Sequence, residues 1–170
     1  MLNAKQIVGE GLLHLETTKG KPAQVGYDLS IKAVQKIGYK GSPNSPIGRV
    51  LKDKTQLTDY TPYDKISLEG AKGWLLYEGV YDITFNEGCK LPANRVAFIK
   101  QRSSLYRNGT IINSPVFDPG FETEFMGTLM YVHETIFIEK DARVAQIYFH
   151  ECQSAELYDG QWQGDKQRNQ

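Results

Sequence analysis

The chain has 170 residues, 40% of them apolar and 24% charged, enough for one domain with a core and short of two. Lysine plus arginine (20) equals aspartate plus glutamate (20), so the formal charge is zero, which speaks against the basic stripe of a nucleic-acid binder. A few well-placed guanidinium groups can still bind a small polyanion without moving that total.

The opening residues, Met1 to Gln6, lack the long apolar stretch of a secretion signal. No run approaches the ~20 apolar residues that a membrane helix needs, so a cytoplasmic protein without membrane contact is expected. Asn3 caps a short first helix, Gln6 occupies the capping-box position, and Gly9 and Gly11 end it. Leu12 to Leu15 is a first candidate strand and Gly26 to Ile31 a second. Gly38 to Lys65 is a long, mostly irregular excursion rich in Gly, Pro, Lys, Asp and Thr, of the kind that lies over a site or an interface.

From Gly73 onward the pattern is strand after strand. Trp74 to Tyr77, Tyr81 to Phe85, Val96 to Lys100, Thr128 to Val132, Thr135 to Ile138 and Val144 to Phe149 are short and rich in β-branched and aromatic residues. Ile136 and Ile138 alternate with Thr135, Phe137 and Glu139 at the two-residue period. Many short strands with little helix predict an all-β fold, closed or doubled so that its edges are covered. The end, Asp159 to Gln170, is polar and predicts a mobile tail. Cys89 and Cys152 stand far apart and outside any CxxC pair, so two reduced, partly buried thiols are expected rather than a zinc site. His14, His133 and His150 show no ligand spacing and read as ordinary strand or surface residues.

Four segments carry candidate chemistry. Gln101 to Gly109 reads as a helical turn that Ser103 or Ser104 can cap. Its free N–H groups, two hydroxyls and the Arg102 guanidinium suit a phosphate, as much as they suit a plain capped turn. Asp118 precedes the tight turn of Pro119-Gly120, either as a turn former or as a general base on water. Gln146 interrupts an apolar strand and needs a partner. Tyr158 to Gly164 sets aromatic and amide groups between glycines, a segment able to fold over a ligand.

The order of these segments resembles the dUTPase/dCTP-deaminase superfamily, in particular its short archaeal and bacterial dUTPases. The resemblance is carried by Arg102-Ser103-Ser104-Leu105, Asp118-Pro119-Gly120-Phe121, Ala142-Arg143-Val144-Ala145-Gln146 and the Tyr158 to Gly164 tail. Gln24 to Leu29 and Leu91 to Arg95 extend it. It implies a β-clip or distorted jelly-roll-like barrel, a homotrimer with sites between subunits, and a Mg²⁺-bound deoxynucleoside triphosphate. The ion would be held mainly by the triphosphate and water. Residues 1–157 would form the β domain, and 158–170 a flexible tail closing over the active site.

By the same resemblance Asp118 would orient and deprotonate the water that attacks the α-phosphorus. Phe121 would stack under the deoxyribose. Arg102, Ser103 and Ser104 would bind phosphate oxygens of a neighbouring subunit's site, Arg107 would join them in binding substrate, and Gln146 would sit at the phosphates. Ser114, Pro115 and Val116 would read the uracil edge, and Tyr158, Gln161, Trp162 and Gln163 would close over the nucleotide. The expected activity is hydrolysis of dUTP to dUMP and pyrophosphate.

Two alternatives are a dCTP deaminase, alone or bifunctional, and a non-catalytic nucleotide-binding trimer. The deaminases of this group use a glutamate about ten residues after the aspartate, where this chain has Thr128, or Met130 if two residues are inserted. Glu122-Thr123-Glu124 and Gln161 depart from the usual pattern, the first adding two carboxylates near a polyanion's site.

Overall fold

The computed structural model describes residues 1–38, 59–62, 64–153, 156–160 and 163–164. Helix α1 (Ala4–Gly9) carries the expected capping box: the Asn3 side chain accepts from the Gln6 N–H, and the Gln6 side chain accepts from the Asn3 N–H. Fourteen strands and one more helix follow among the described residues: β1 (Leu13–His14), β2 (Lys21–Pro22), β3 (Tyr27–Gly38), β4 (Asp59–Pro62), β5 (Ile66–Leu68), β6 (Ala71–Leu76), β7 (Gly79–Phe85), β8 (Gly88–Lys90), β9 (Arg95–Gln101), helix α2 (Ser103–Arg107), β10 (Thr110–Asn113), β11 (Glu122–Thr123), β12 (Gly127–Val132), β13 (Ile136–Glu139) and β14 (Arg143–Glu151).

The main sheet runs β10-β12-β7-β3-β14-β9, each neighbour antiparallel. Beyond β10 the chain turns back onto β9, where Phe117 and Ala97 exchange both backbone hydrogen bonds at 3.0 Å, so the sheet nearly closes into a barrel. Two three-stranded sheets, β1-β8-β11 and β13-β6-β5, complete an all-β fold. The expected strands from Trp74 onward are present.

β3 is longer than the sequence suggested. Its first half pairs with β14 and β2, and its second half with β7 and β4. A register shift between Ile31 and Ala33 bends it from one to the other. β4 lies inside the stretch read as irregular; residues 39–58 and 63 of that stretch lie outside the described residues.

Strand alternation builds the core. Ala97 and Ile99 on β9 face inward with Ala145, Ile147 and Phe149 on β14, beside Leu29, Ile31, Ile83, Phe85 and Met130. Fully burying an Ile or Phe contributes about 1.5–3 kcal/mol. On the outer face Phe98, Tyr148 and His150 pack ring against ring with centroids 5.7–6.0 Å apart. The buried Arg95 at the start of β9 ion-pairs with Glu10 just beyond α1, docking the helix on the barrel. Cys89 and Cys152 are both free. Burial pushes the Cys89 thiol far above its ordinary range, and the charge of Glu122 adds to this. No helix among the described residues is long and apolar enough to cross a membrane.

Candidate active site

The candidate residues fall into two groups at opposite ends of β9. At its C-terminal end the Arg102 peptide is still held by the β14 ladder, its N–H donating to the Val144 carbonyl at 2.8 Å. Helix α2 therefore starts one residue later, with the extended Arg102 at the cap position and no side-chain cap bond. The expectation that Ser103 or Ser104 caps this turn is corrected accordingly. A cap residue has to be extended, whereas both serines are already helical. Both are exposed.

The Arg102 guanidinium lies 3.2 Å from Asp28 and donates to the Arg143 carbonyl at 3.2 Å. Arg143 lies 2.9 Å from the same Asp28 oxygen. One carboxylate, 8% exposed, thus holds two guanidinium groups that are 34% and 33% exposed. Two cations against one anion leave a formal surplus of one positive charge, with part of each guanidinium facing solvent. Gln146, opposite both Asp28 and Lys100 in the sheet, donates its amide to the Val25 carbonyl. Arg107 is exposed in the last turn of α2.

The sequence motifs give Asp28 no role. A carboxylate within an apolar strand such as Tyr27-Asp28-Leu29 signals a cation partner, because buried charge is rarely left alone. Behind it stands a second unassigned residue. Glu87 is fully buried and accepts from the Thr18 hydroxyl, the Gly20 N–H, and the N–H and hydroxyl of Ser30, at 2.5–3.0 Å. These bonds clamp residues 18–20 against β3. The clamp is tight enough that a Cβ on Gly20 would sit 1.9 Å from the Asp28 carbonyl oxygen.

The other group gathers at Asp118. Phe117 is fastened to Ala97. The Phe121 N–H closes a turn onto the Asp118 carbonyl at 3.1 Å, and Gly120 and Phe121 bond the backbone of Leu91 at 2.9 Å on either side. Pro119 presets the first turn position, and Gly120 at φ +84 supplies the second. The Asp118 side chain is exposed on this fixed backbone. The half-buried Phe121 ring lies beside it, 5.7 Å from Phe117 and met edge-on by Tyr158 at 5.3 Å. Tail residues reach the same turn: the Tyr158 N–H donates to Pro119, and the Gln163 side chain bonds Gly120 and Glu122. Gln161 and Trp162 lie outside the described residues.

Between the groups, the Ser114 hydroxyl rests within 3.0–3.4 Å of the Ile99 backbone and the Pro115 carbonyl, while Pro115 and Val116 are exposed. Glu122 is drawn away from Asp118 by Lys90 at 3.1 Å and His14 at 3.6 Å. It lines, with Glu16 and Glu124, a separate cleft of about 490 Å³. Thr128 is buried with its hydroxyl donating to the Asn113 carbonyl at 2.7 Å, and Met130 is in the core. From Ala97, opposite Phe117, to Arg102 is five residues of strand, about 16 Å at ~3.3 Å per residue.

Residues 3–152 match the family model described as dCTP deaminase-like. The chain is 34% identical over 144 residues to the deoxyuridine 5'-triphosphate nucleotidohydrolase of Methanocaldococcus jannaschii, covering 83% of this chain and 86% of that one. It is 30% identical over 141 residues to a probable enzyme of the same name from Halobacterium salinarum, covering 83% and 82%. The fold is similar to that of the 2'-deoxycytidine 5'-triphosphate deaminase of Agrobacterium tumefaciens, with TM-score 0.58 at 17% identity. That match covers 85% of this chain and 44% of that one. It is similar also to the dUTPase of EIAV, with TM-score 0.51 at 13% identity over 88% and 98%.

Proposed function

The chain belongs to the dCTP deaminase-like family, and we propose that within it the protein is a pyrophosphatase that hydrolyses dUTP to dUMP and pyrophosphate. The observation that favours hydrolysis over deamination is the state of the strand after the Asp118 turn. The two positions that align with a deaminase's glutamate hold a buried Thr128, whose hydroxyl is engaged, and a core Met130. Neither side chain can shuttle a proton to a pyrimidine. The names of the archaeal relatives agree with this choice.

Asp118, exposed on a turn fixed at both flanks, accepts a proton from water. The water oxygen bonds to the α-phosphorus, the bond from that phosphorus to the α–β bridging oxygen breaks, and pyrophosphate leaves. Phe121 offers a flat apolar surface to the deoxyribose. Arg102 and Arg143, aligned by Asp28, bind phosphate oxygens together with Ser103, Ser104 and Gln146, and Arg107 flanks them. Ser114 to Val116 lie along the path between, where backbone groups read the base.

Arg102 and the Asp118 turn stand at opposite ends of β9, about 16 Å apart along the strand backbone. This supports a homotrimer in which the Arg102 end of one subunit completes the Asp118 end of another. The donor set fits Mg²⁺ that arrives with the nucleotide. One exposed carboxylate stands at the turn and cationic groups grip the phosphates, and Mg²⁺ takes phosphate and water oxygens readily. Held there by the nucleotide beside Asp118, the ion would neutralise phosphate charge.

The test is incubation with Mg²⁺ and each of dUTP, dCTP, dTTP and UTP, with products resolved by chromatography. Rapid dUMP and pyrophosphate from dUTP alone is expected. Uracil products from dCTP would assign the chain to the deaminases, and binding without turnover would make it a non-catalytic nucleotide binder. On the same assay Asp28→Asn is expected to raise KM for dUTP about 10-fold, since hydrogen bonds to charged groups contribute about 1.5–3 kcal/mol. kcat should change less. An unaltered KM would show that Asp28 does not align the two arginines for substrate.

A further inference from the structure

The cations at the Arg102 end extend beyond the two arginines. One register line crosses four strands there. Lys21 on β2 stands opposite Asp28 on β3, Asp28 opposite Gln146 on β14, and Gln146 opposite Lys100 on β9. Residues directly opposite in antiparallel strands project to the same face of the sheet. The line therefore carries a lysine at each end, with Asp28 and Gln146 between. It lies on the outer face, because its chain neighbours Tyr27, Leu29, Ile99, Ala145 and Ile147 are all in the core. Arg102 follows Lys100 by two strand steps, about 7 Å, and its contact with Asp28 shows that it shares this face.

Both lysines are exposed, and among the described residues neither ammonium makes an ion pair or hydrogen bond. Lys21 is nonetheless firmly placed. The residues just before it are clamped by Glu87, which accepts from the Thr18 hydroxyl and the Gly20 N–H, and Gly20 packs on the Asp28 carbonyl too closely for a Cβ. Arg102, Arg143, Lys21 and Lys100 thus gather around one carboxylate, a formal surplus of three positive charges where the arginines alone leave one. A planar guanidinium grips one phosphate through two bonds, whereas an ammonium is a point charge on a flexible stem that can reach a further phosphate.

We propose that Lys100 and Lys21 are specificity-determining residues: from the two ends of the line their ammonium groups hold the terminal phosphate of a deoxynucleoside triphosphate, and a diphosphate, which lacks it, binds more weakly. This rests on the pyrophosphatase reading and deepens it. The arginines hold phosphate as such, and the lysines count how many phosphates there are.

The test is calorimetric titration of dUTP and of dUDP, with Mg²⁺, into the Asp118→Asn protein with and without Lys21→Gln and Lys100→Gln together. The Asp118→Asn protein is expected to prefer dUTP. The added substitutions should weaken dUTP about 10-fold, on the scale of one hydrogen bond to a charged group, and leave dUDP nearly unchanged. Lys100→Arg with Lys21→Arg should restore the preference, since the charge returns. Both sites are exposed, so thermal melts should coincide. An unchanged ratio of the two affinities would overturn the proposal, as would an equal loss for both nucleotides, the mark of a general field. The readout needs no turnover. A preference that depends on the lysines in a protein that leaves dUTP intact would therefore support their role and remove the pyrophosphatase, while an unchanged ratio in a protein that hydrolyses dUTP would do the reverse.

Discussion

Replacing Asp118 by asparagine is expected to lower turnover of dUTP by roughly 10²–10⁴-fold while folding and nucleotide binding persist. The backbone around Asp118 is fixed by Ala97, Leu91 and the Pro119-Gly120 turn, all through main-chain groups that the substitution leaves alone. Among the described residues its carboxylate makes no hydrogen bond or ion pair, and it is exposed. Stability should therefore move by no more than about 0.5 kcal/mol, as at other exposed sites free of packing. An asparagine keeps the shape and can still orient a water, but it cannot take the proton. The loss should fall on kcat, with KM nearly unchanged. Steady-state kinetics, a thermal melt and calorimetric nucleotide titration together check all three parts. Near-full activity in Asp118→Asn would falsify the assignment of the base.

The second large effect concerns stability. Glu87→Leu should cost about 3–5 kcal/mol, because four buried or half-buried donors lose their acceptor at once. Glu87→Gln should cost less, about 1–3 kcal/mol. The amide keeps one acceptor oxygen but turns its NH₂ group toward the Ser30 or the Gly20 N–H, which has only a hydrogen to offer. The order Leu worse than Gln separates a donor-filled site from a volume effect, since leucine fills the space comparably. Urea unfolding with both variants provides the comparison. Midpoints close to that of the parent would mean that residues 18–20 are not held by this carboxylate.

The parts of the fold visible in sequence were those with a repeating physical cause. The Asn3 and Gln6 cap rests on two side chains with the right reach. β9, β12 and β14 carry enough β-branched and aromatic residues to show a strand's pattern. β8 and β11 are three and two residues long, too short for an alternation to repeat, and β2 includes a proline. The serines of α2 resemble caps by composition, yet the cap position is decided by the Val144 carbonyl on another strand, which no local pattern encodes.

In the candidate site, Asp118, Phe121, Arg102 and the tail were recognised as motifs. Their division between subunits is implied by the resemblance, but where along β9 each group falls depends on Phe117 pairing with Ala97 rather than with a residue nearer Arg102. Asp28 and Glu87 act through partners up to 115 residues distant, and only the folded chain brings those together.

The placement of the two groups on one strand has a consequence for how this protein tolerates change. β9 is hydrogen-bonded to β14 along its whole length, so it can neither stretch nor slide. A substitution on its outer face alters a side chain and leaves the spacing as it was. Inserting or deleting one residue between Ala97 and Arg102 would shift the arginine by one strand step and turn it to the other side of the sheet. Both ends could then remain chemically intact and still lose the spacing that the proposed site between subunits requires. Residue count, more than residue identity, is what this stretch has to preserve.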